Sequence, residues 1–109
     1  KEENEPKEKN FIDSKKVAEK IGISENIATL IINKFKKDIH KDLAELKEFI
    51  EINDIDKTSQ KAHYIKNSCL NVLLNDICEL LNKLEDRTLS KDKKEEIFFK
   101  VEDMINQNI

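Results

Sequence analysis

Glycine, proline and tryptophan are nearly absent from this chain: its 109 residues include one glycine, one proline and no tryptophan. Sheet proteins turn often and sharply, and their turns draw on Gly, Pro, Asn and Asp. The composition therefore argues against a β-sandwich or a β-barrel. Glycine-rich phosphate loops need several glycines at fixed spacing, and Gly22 alone cannot build one.

An excess of basic charge and long apolar runs are missing as well. Twenty basic and 23 acidic residues give a net charge of −3, whereas nucleic-acid binders usually carry a basic excess. No stretch approaches the roughly 18–20 apolar residues that cross a bilayer, and no apolar secretory segment opens the sequence. We therefore expect a cytoplasmic domain that contacts neither nucleic acid nor membrane.

The two cysteines match no metal-site or disulfide signature. Cys69 and Cys78 are nine positions apart, without a CxxC pair and without a histidine at ligand spacing. In a sequence rich in lysine and glutamate this pattern is typical of a cytosolic protein with free thiols. We expect no metal site in this chain.

The first ten residues differ in composition from the rest. Residues 1–10 read KEENEPKEKN, are mostly charged and contain the single proline, which predicts a flexible charged linker. Because the sequence does not begin with methionine, we expect a fragment whose linker leads back to another domain. Residues 11–109 have the usual length of one folded domain.

Apolar residues after position 11 recur at the three- and four-residue steps of amphipathic helices. A short helix after Asp13 should end at Gly22, and Ser24 should cap a long helix. Asp56 or Thr58 should cap the next helical run. The predicted buried stripe of the long helix consists of Ile27, Leu30, Ile31, Phe35, Ile39, Leu43, Leu46, Phe49 and Ile50.

The second half of the chain predicts three more helices. The run that follows is long for one helix, and we expect a break or a kink between Asn71 and Asn75. Ser90 should cap the last helix. Four long amphipathic helices joined by short loops predict an all-α, antiparallel up-down-up-down four-helix bundle with a short extra N-terminal helix.

The two histidines lie in different settings. His40 lies among charged residues, as a solvated surface residue would, whereas His63 lies at the edge of an apolar stripe and should project towards solvent. Lys66 and Asn67 follow His63 by one helical turn, and Gln60 precedes it by one turn, so all three share its face. An exposed imidazole can act as a nucleophile, and a neighbouring ammonium can pair with a phosphoryl oxygen. The spacing alone also fits an incidental surface histidine.

The segment that contains His63 resembles the signature of histidine-containing phosphotransfer (HPt) domains. Positions 62–68 read AHYIKNS and positions 77–85 read ICELLNKLE; the family reads approximately A-H-x-L-K-G-S-S, then L-x-x-x-C-x-x-L-E. The order of the predicted helices also fits, over about residues 11–106. The resemblance implies a four-helix bundle that relays phosphoryl groups between receiver-domain aspartates in two-component phosphorelays.

The resemblance also implies roles for individual residues. His63 would accept the phosphoryl group through Nε2, and Lys66 would give it electrostatic support. The receiver would dock on a surface formed by Gln60, Tyr64, Asn67 and Ser68. The chain would have no kinase or phosphatase activity and no cofactor of its own, because the receiver brings the aspartate and Mg²⁺.

The chain departs from the family pattern at two glycines. Asn67 replaces the glycine four residues after the histidine, and Leu73 replaces the glycine ten residues after it. Glycine at the first position lets another backbone approach closely, so Asn67 bears on the efficiency of transfer. Glycine at the second normally relaxes the turn between the third and fourth helices.

Two other functions fit parts of the sequence. A non-catalytic helical adaptor with an incidental histidine fits the composition and the periodicity. A histidine-kinase dimerisation segment would self-associate and would need a glycine-rich nucleotide domain, which this chain lacks. We favour a monomeric phosphocarrier that exchanges phosphoryl groups with response-regulator receiver domains, either as part of a hybrid sensor kinase or as a small relay protein.

Overall fold

The computed structural model describes residues 12–108 of the chain, so the predicted linker at residues 1–10 lies outside the described residues. Within this range the secondary structure is entirely helical and contains no strand, which confirms the all-α prediction. The helices are α1 Ser14–Ile21, α2 Glu25–Glu51, α3 Ile55–Asn71, α4 Asn75–Leu84 and α5 Lys91–Asn108. None of them is both long and apolar enough to span a membrane.

The first two helices begin and end where their capping residues predict. The Asp13 carboxylate accepts hydrogen bonds from two backbone N–H groups of the first turn of α1. Gly22 ends α1 in the left-handed conformation at φ 84°, which glycine adopts without steric cost. The Ser24 hydroxyl then accepts a hydrogen bond from the backbone N–H of Ile27, 3.2 Å away, and starts α2.

Helix α3 begins earlier than the sequence predicted, so the expectation of a cap at Asp56 or Thr58 is wrong. Asp54 is the cap, and its carboxylate accepts a hydrogen bond of 3.0 Å from the Lys57 backbone N–H. Asn53 adopts the left-handed conformation at φ 59° directly after α2. Asparagine tolerates this conformation better than most residues, so the chain re-enters a helix within three residues.

The buried face of α2 also differs from the prediction at its N-terminal end. Ile27 and Leu30 are exposed, whereas Ala28 and Ile32 are buried. Two apolar stripes with the same three- and four-residue spacing overlap here, so periodicity alone cannot select between them. The apolar stripe that faces inward consists of Ala28, Ile32, Phe35, Ile39, Leu43, Leu46 and Ile50.

Helices α2 to α5 pack as a closed bundle. Each contacts the next along the chain, α5 returns to contact α2, and α1 packs on α2. The short connections at 22–24, 52–54 and 72–74 keep consecutive helices side by side, as antiparallel neighbours require. The largest fully buried side chains come from all four helices of this bundle and include Leu46, Ile65, Leu81, Phe98 and Ile105.

The connection between α3 and α4, near the candidate site, is a turn of only three residues. The helices end and begin at the two asparagines predicted to bracket a break, Asn71 and Asn75. Between them Leu73 adopts φ 63°, a left-handed conformation, at the position where the HPt resemblance expects glycine. Such a conformation costs a non-glycine residue about 1–2 kcal/mol. The backbone N–H groups of Val72 and Leu74 both donate to the Cys69 carbonyl and hold the turn closed.

We expect the left-handed conformation of Leu73 to reverse the usual preference for alanine over glycine. Leu73→Gly should be more stable to urea than Leu73→Ala by about 1 kcal/mol, because both variants remove the side chain and only alanine keeps the strained Cβ. Lys36, exposed in the middle of α2, is the control position. There, Lys36→Ala should be more stable than Lys36→Gly by about 1 kcal/mol. Equal stability of the two Leu73 variants would contradict the prediction.

Candidate functional site

His63 projects from the outer face of α3. Its neighbours Ala62 and Ile65 are fully buried in the bundle, and this fixes which side of the helix faces the core. The His63 side chain is 57% exposed. The imidazole is therefore accessible to another protein while its backbone is held rigidly by the bundle.

A carboxylate from the end of α4 bridges the imidazole and the nearest ammonium. Glu85 Oε1 lies 3.2 Å from His63 Nδ1, and Glu85 Oε2 lies 2.6 Å from Lys66 Nζ. Glu85 Oε2 is buried, and the Lys66 ammonium is the group that compensates its charge. One side chain of α4 thus orients two side chains of α3.

These contacts define the tautomer of the neutral imidazole. A carboxylate can only accept hydrogen bonds, so Nδ1 of His63 carries the proton and donates it to Glu85. Nε2 then holds the lone pair. The Asn67 amide nitrogen lies 3.3 Å from Nε2 and donates a hydrogen bond to that lone pair. The arrangement leaves Nε2 as the ring nitrogen that can act as a nucleophile.

The Glu85 carboxylate is held in its charged form. Partial burial acts to raise the pKa of Glu85, but hydrogen bonds from Lys66 and His63, together with their charges, outweigh it. The pKa of Glu85 therefore lies below its ordinary value of 4.5. A permanent negative charge beside Nδ1 favours any state in which the ring becomes positive.

Lys66 is held in place and does not extend freely into solvent. Its side chain is 18% exposed, and its ammonium also donates to Asn82 Oδ1 at 3.1 Å. The positive charge is thus anchored one helical turn from His63 by two groups of α4. Such an anchored charge loses little side-chain freedom when a third, anionic group arrives.

The other predicted site residues lie along the same part of α3. Gln60 and Asn67 are exposed, and Tyr64 is 53% exposed with Lys61 Nζ 4.9 Å from its ring centroid. The Ser68 hydroxyl donates to the Tyr64 carbonyl at 3.3 Å. Tyr64 and Ser68 also line a groove of about 290 Å³ between α2 and α3, together with Ile31, Lys34, Phe35, Asp38, Asp42 and Asn71.

Sequence reasoning missed the residues that α4 contributes. Glu85 and Asn82 both lie in the segment 77–85 that resembles the family pattern, but the pattern assigns neither of them a role. Both are far from α3 along the chain. Because α4 packs on α3, Glu85 contacts His63 and Lys66, and Asn82 contacts Lys66. The one available signal was an acidic residue at the end of the helix that follows the histidine.

The remaining candidates do not join this site. His40 is exposed on α2 and has no part in the His63 contacts described above. Among residues 12–108, no three side chains of His, Cys, Asp or Glu come together in a group that could hold a metal ion.

We expect Glu85 to make part of the stability of the protein depend on pH. Because its pKa is lowered on folding, its contribution is complete above about 4.5 and is lost as the pH falls through the lower folded value. Glu85→Gln should therefore lose less stability than the unmodified chain between about pH 6 and about pH 3. The measurement is urea unfolding at several pH values.

Glu79→Gln, which removes an exposed carboxylate from the same helix, serves as the matched control. Its stability should follow that of the unmodified chain across the acid range. If Glu85→Gln and Glu79→Gln lose the same stability on acidification, the Glu85 contacts do not contribute as described.

Comparison with known proteins identifies the family. Residues 31–107 match the family described as Hpt domain, and the match includes α3, α4, most of α2 and nearly all of α5. Searches of the curated proteins and of the solved structures found no match to the chain. The matched segment contains His63, Lys66 and Glu85 and spans most of the sequence, so the chain belongs to the Hpt domain family.

Proposed function

We propose that this domain is a phosphocarrier of a multistep two-component phosphorelay, with His63 as the phosphoryl-accepting residue. The observation that carries the proposal is the exposed ring of His63, whose Nδ1 lies 3.2 Å from Oε1 of the Glu85 carboxylate. Membership of the Hpt domain family supports histidine phosphotransfer as the general function. The donor and the acceptor are aspartates of response-regulator receiver domains.

The proposed phosphoryl transfer forms one bond at His63 and breaks one bond at the aspartate of the receiver. The Nε2 lone pair of His63 attacks the phosphorus of an aspartyl phosphate, so an N–P bond forms while the P–O bond to the aspartate breaks. The aspartate leaves as a carboxylate. The proton on Nδ1 stays in place, and the ring becomes positive. The Glu85 carboxylate, 3.2 Å from Nδ1, offsets that charge as it develops.

Lys66 supplies the positive charge for the phosphoryl oxygens. Its ammonium is anchored by Glu85 and Asn82, and a phosphoryl group on Nε2 adds a further anionic partner on the exposed side. In phosphoryl transfer, catalysis is largely positioning and neutralisation of these oxygens. The receiver supplies the Mg²⁺ ion, so the carrier needs no cofactor of its own and has no kinase or phosphatase activity.

The receiver docks around His63 on the face of α3. Gln60, Tyr64, Asn67 and Ser68 form the contact surface, and the adjacent groove between α2 and α3 offers apolar contact area. Transient signalling interfaces are small, which suits an exposed tyrosine beside a shallow groove. The domain acts as a cytoplasmic monomer, within a hybrid sensor kinase or beside one.

Replacement of His63 tests the proposal. Receiver domains from the same organism, loaded with labelled phosphate, should transfer label to the unmodified chain. His63→Gln should reduce the label to background, because the amide has no nucleophilic nitrogen. His40→Gln should retain full labelling, because His40 lies apart from the site. The bound phosphate should be labile to acid and stable to base.

Label that persists on His63→Gln would contradict the assignment of the acceptor. Labelling of neither the unmodified chain nor His40→Gln by any receiver, with both chains folded, would favour a helical adaptor whose histidine is incidental. Circular dichroism checks the fold of each variant, since an exposed histidine should be nearly neutral for stability.

We expect Asn67 to slow the transfer. Its amide occupies the Nε2 lone pair of His63 at 3.3 Å, so this hydrogen bond must break before attack. A neutral hydrogen bond of this kind is worth about 0.5–1 kcal/mol, and Asn67→Ala should raise the initial rate of label uptake about two- to fivefold. Asn26→Ala removes an exposed amide from α2 that does not line the groove between α2 and α3 and should leave the rate unchanged. A slower Asn67→Ala would show instead that the amide assists the acceptor.

A further inference from the structure

Glu85 is fixed to α3 through both its backbone and its side chain. The residue caps the C-terminal end of α4, and its carbonyl accepts a hydrogen bond of 2.9 Å from the Ser59 hydroxyl, one helical turn before His63. Its carboxylate pairs with Lys66, one turn after His63. The Glu85 side chain is 23% exposed. The carboxylate is therefore held beside Nδ1 of a ring that remains accessible to solvent.

Glu85 is also the carboxylate that acts on the charge of the ring. Of the acidic side chains in residues 12–108, it is the one within 4 Å of a His63 nitrogen. Two ammonium groups, Lys66 of α3 and Lys83 of α4, line the groove beside this site, and like charges oppose a positive ring. Other charged groups near this part of α3 have partners of their own: Lys61 pairs with Asp42 and Glu45, Arg87 pairs with Asp56, and Thr88 donates to Asp86. A positive His63 ring therefore depends on Glu85 for its compensating charge.

The charge of the ring decides how easily a phosphoryl group leaves it. With the group on Nε2 and a proton on Nδ1, the ring is an imidazolium. Breaking the N–P bond then returns the electron pair to Nε2 and releases a neutral imidazole. Without the Nδ1 proton the same step would release an imidazolide anion, which is a far poorer leaving group. A charged carboxylate that accepts the Nδ1–H hydrogen bond stabilises the imidazolium and so favours the form that gives up its phosphoryl group.

We propose that Glu85 keeps the phosphorylated His63 ring protonated at neutral pH, so that the loaded domain passes its phosphoryl group on quickly and holds it only briefly in water. The inference rests on the proposed function, because it concerns His63 after the group has been accepted. In the loss to water, a water oxygen attacks the phosphorus, a P–O bond forms and the N–P bond breaks. The ring leaves as neutral imidazole with its Nδ1 proton, and the phosphate keeps both protons of the water as dihydrogen phosphate.

The test loads the chain with phosphoramidate, a chemical phosphoryl donor that needs no receiver, and follows the release of phosphate at several pH values. His40→Gln serves as the background, because His63 is then the single histidine. Release should quicken as the pH falls and then reach a plateau. Glu85→Gln should lengthen the lifetime about three- to tenfold at about pH 7, as expected when a half-exposed ring loses one charge-assisted hydrogen bond. Its plateau should be unchanged, since the ring is protonated there in both chains, and its rise should move to lower pH.

Glu79→Gln in the same background is the matched control, because it removes an exposed carboxylate from α4 that does not contact the ring. Its release profile should coincide with that of the background chain. Coincident profiles for Glu85→Gln and Glu79→Gln would overturn the proposal. A changed rate at every pH, with the rise of the profile unmoved, would overturn it as well, because it would show that Glu85 acts on the packing and not on the protonation of the ring.

Nitrogen NMR of the loaded, unmodified chain tests the same point without a variant. Nδ1 of His63 should keep its proton at a pH at which the same loaded chain, unfolded in urea, has lost it. Loss of the proton at the same pH in both states would overturn the proposal. The phosphocarrier function can fail separately: it fails if no receiver labels the chain, whereas the chemically loaded ring still shows or lacks the effect of Glu85.

Discussion

The sharp connection between α3 and α4 is the constraint on which the rest of the site depends. Three residues, with Leu73 in the left-handed conformation, turn the chain so that α4 lies directly along α3. This packing places Glu85, at the far end of α4, beside His63. It also places the Cys78 thiol 3.5 Å from the Lys66 carbonyl. The turn contains one residue in the left-handed conformation, which a family glycine would adopt without strain and Leu73 adopts at a cost.

The charges at the site are arranged around a single carboxylate. Glu85 accepts from both His63 and Lys66, so one acidic group selects the tautomer of the ring and restrains the ammonium. The bundle contributes rigidity, because Ala62 and Ile65, close to His63 on α3, are fully buried. The side chains that a partner would meet are thereby oriented in advance, which reduces the ordering cost of a small transient interface.

Much of the fold follows from local patterns in the sequence. The caps at Asp13 and Ser24 and the break between Asn71 and Asn75 are readable because capping and helix termination are decided within a few residues. The start of α3 and the inward face of α2 near Ile27 were predicted wrongly. In the first case Asn53 adopts the left-handed conformation, so Asp54 can cap the helix. In the second case two apolar stripes have the same spacing, and only one of them faces the core.

Local sequence patterns are sufficient for the helical class, for the outward position of His63 on α3 and for the proximity of Lys66 and Asn67, since residues one turn apart on a helix are neighbours in any tertiary arrangement. Tertiary structure is required for the contact of Glu85 with the His63 ring and for that of Cys78 with the Lys66 carbonyl. Those pairs lie on different helices, and their contact depends on the register and the packing distance of α3 against α4. No spacing rule along the chain encodes these quantities, because the summed packing of the whole bundle sets them.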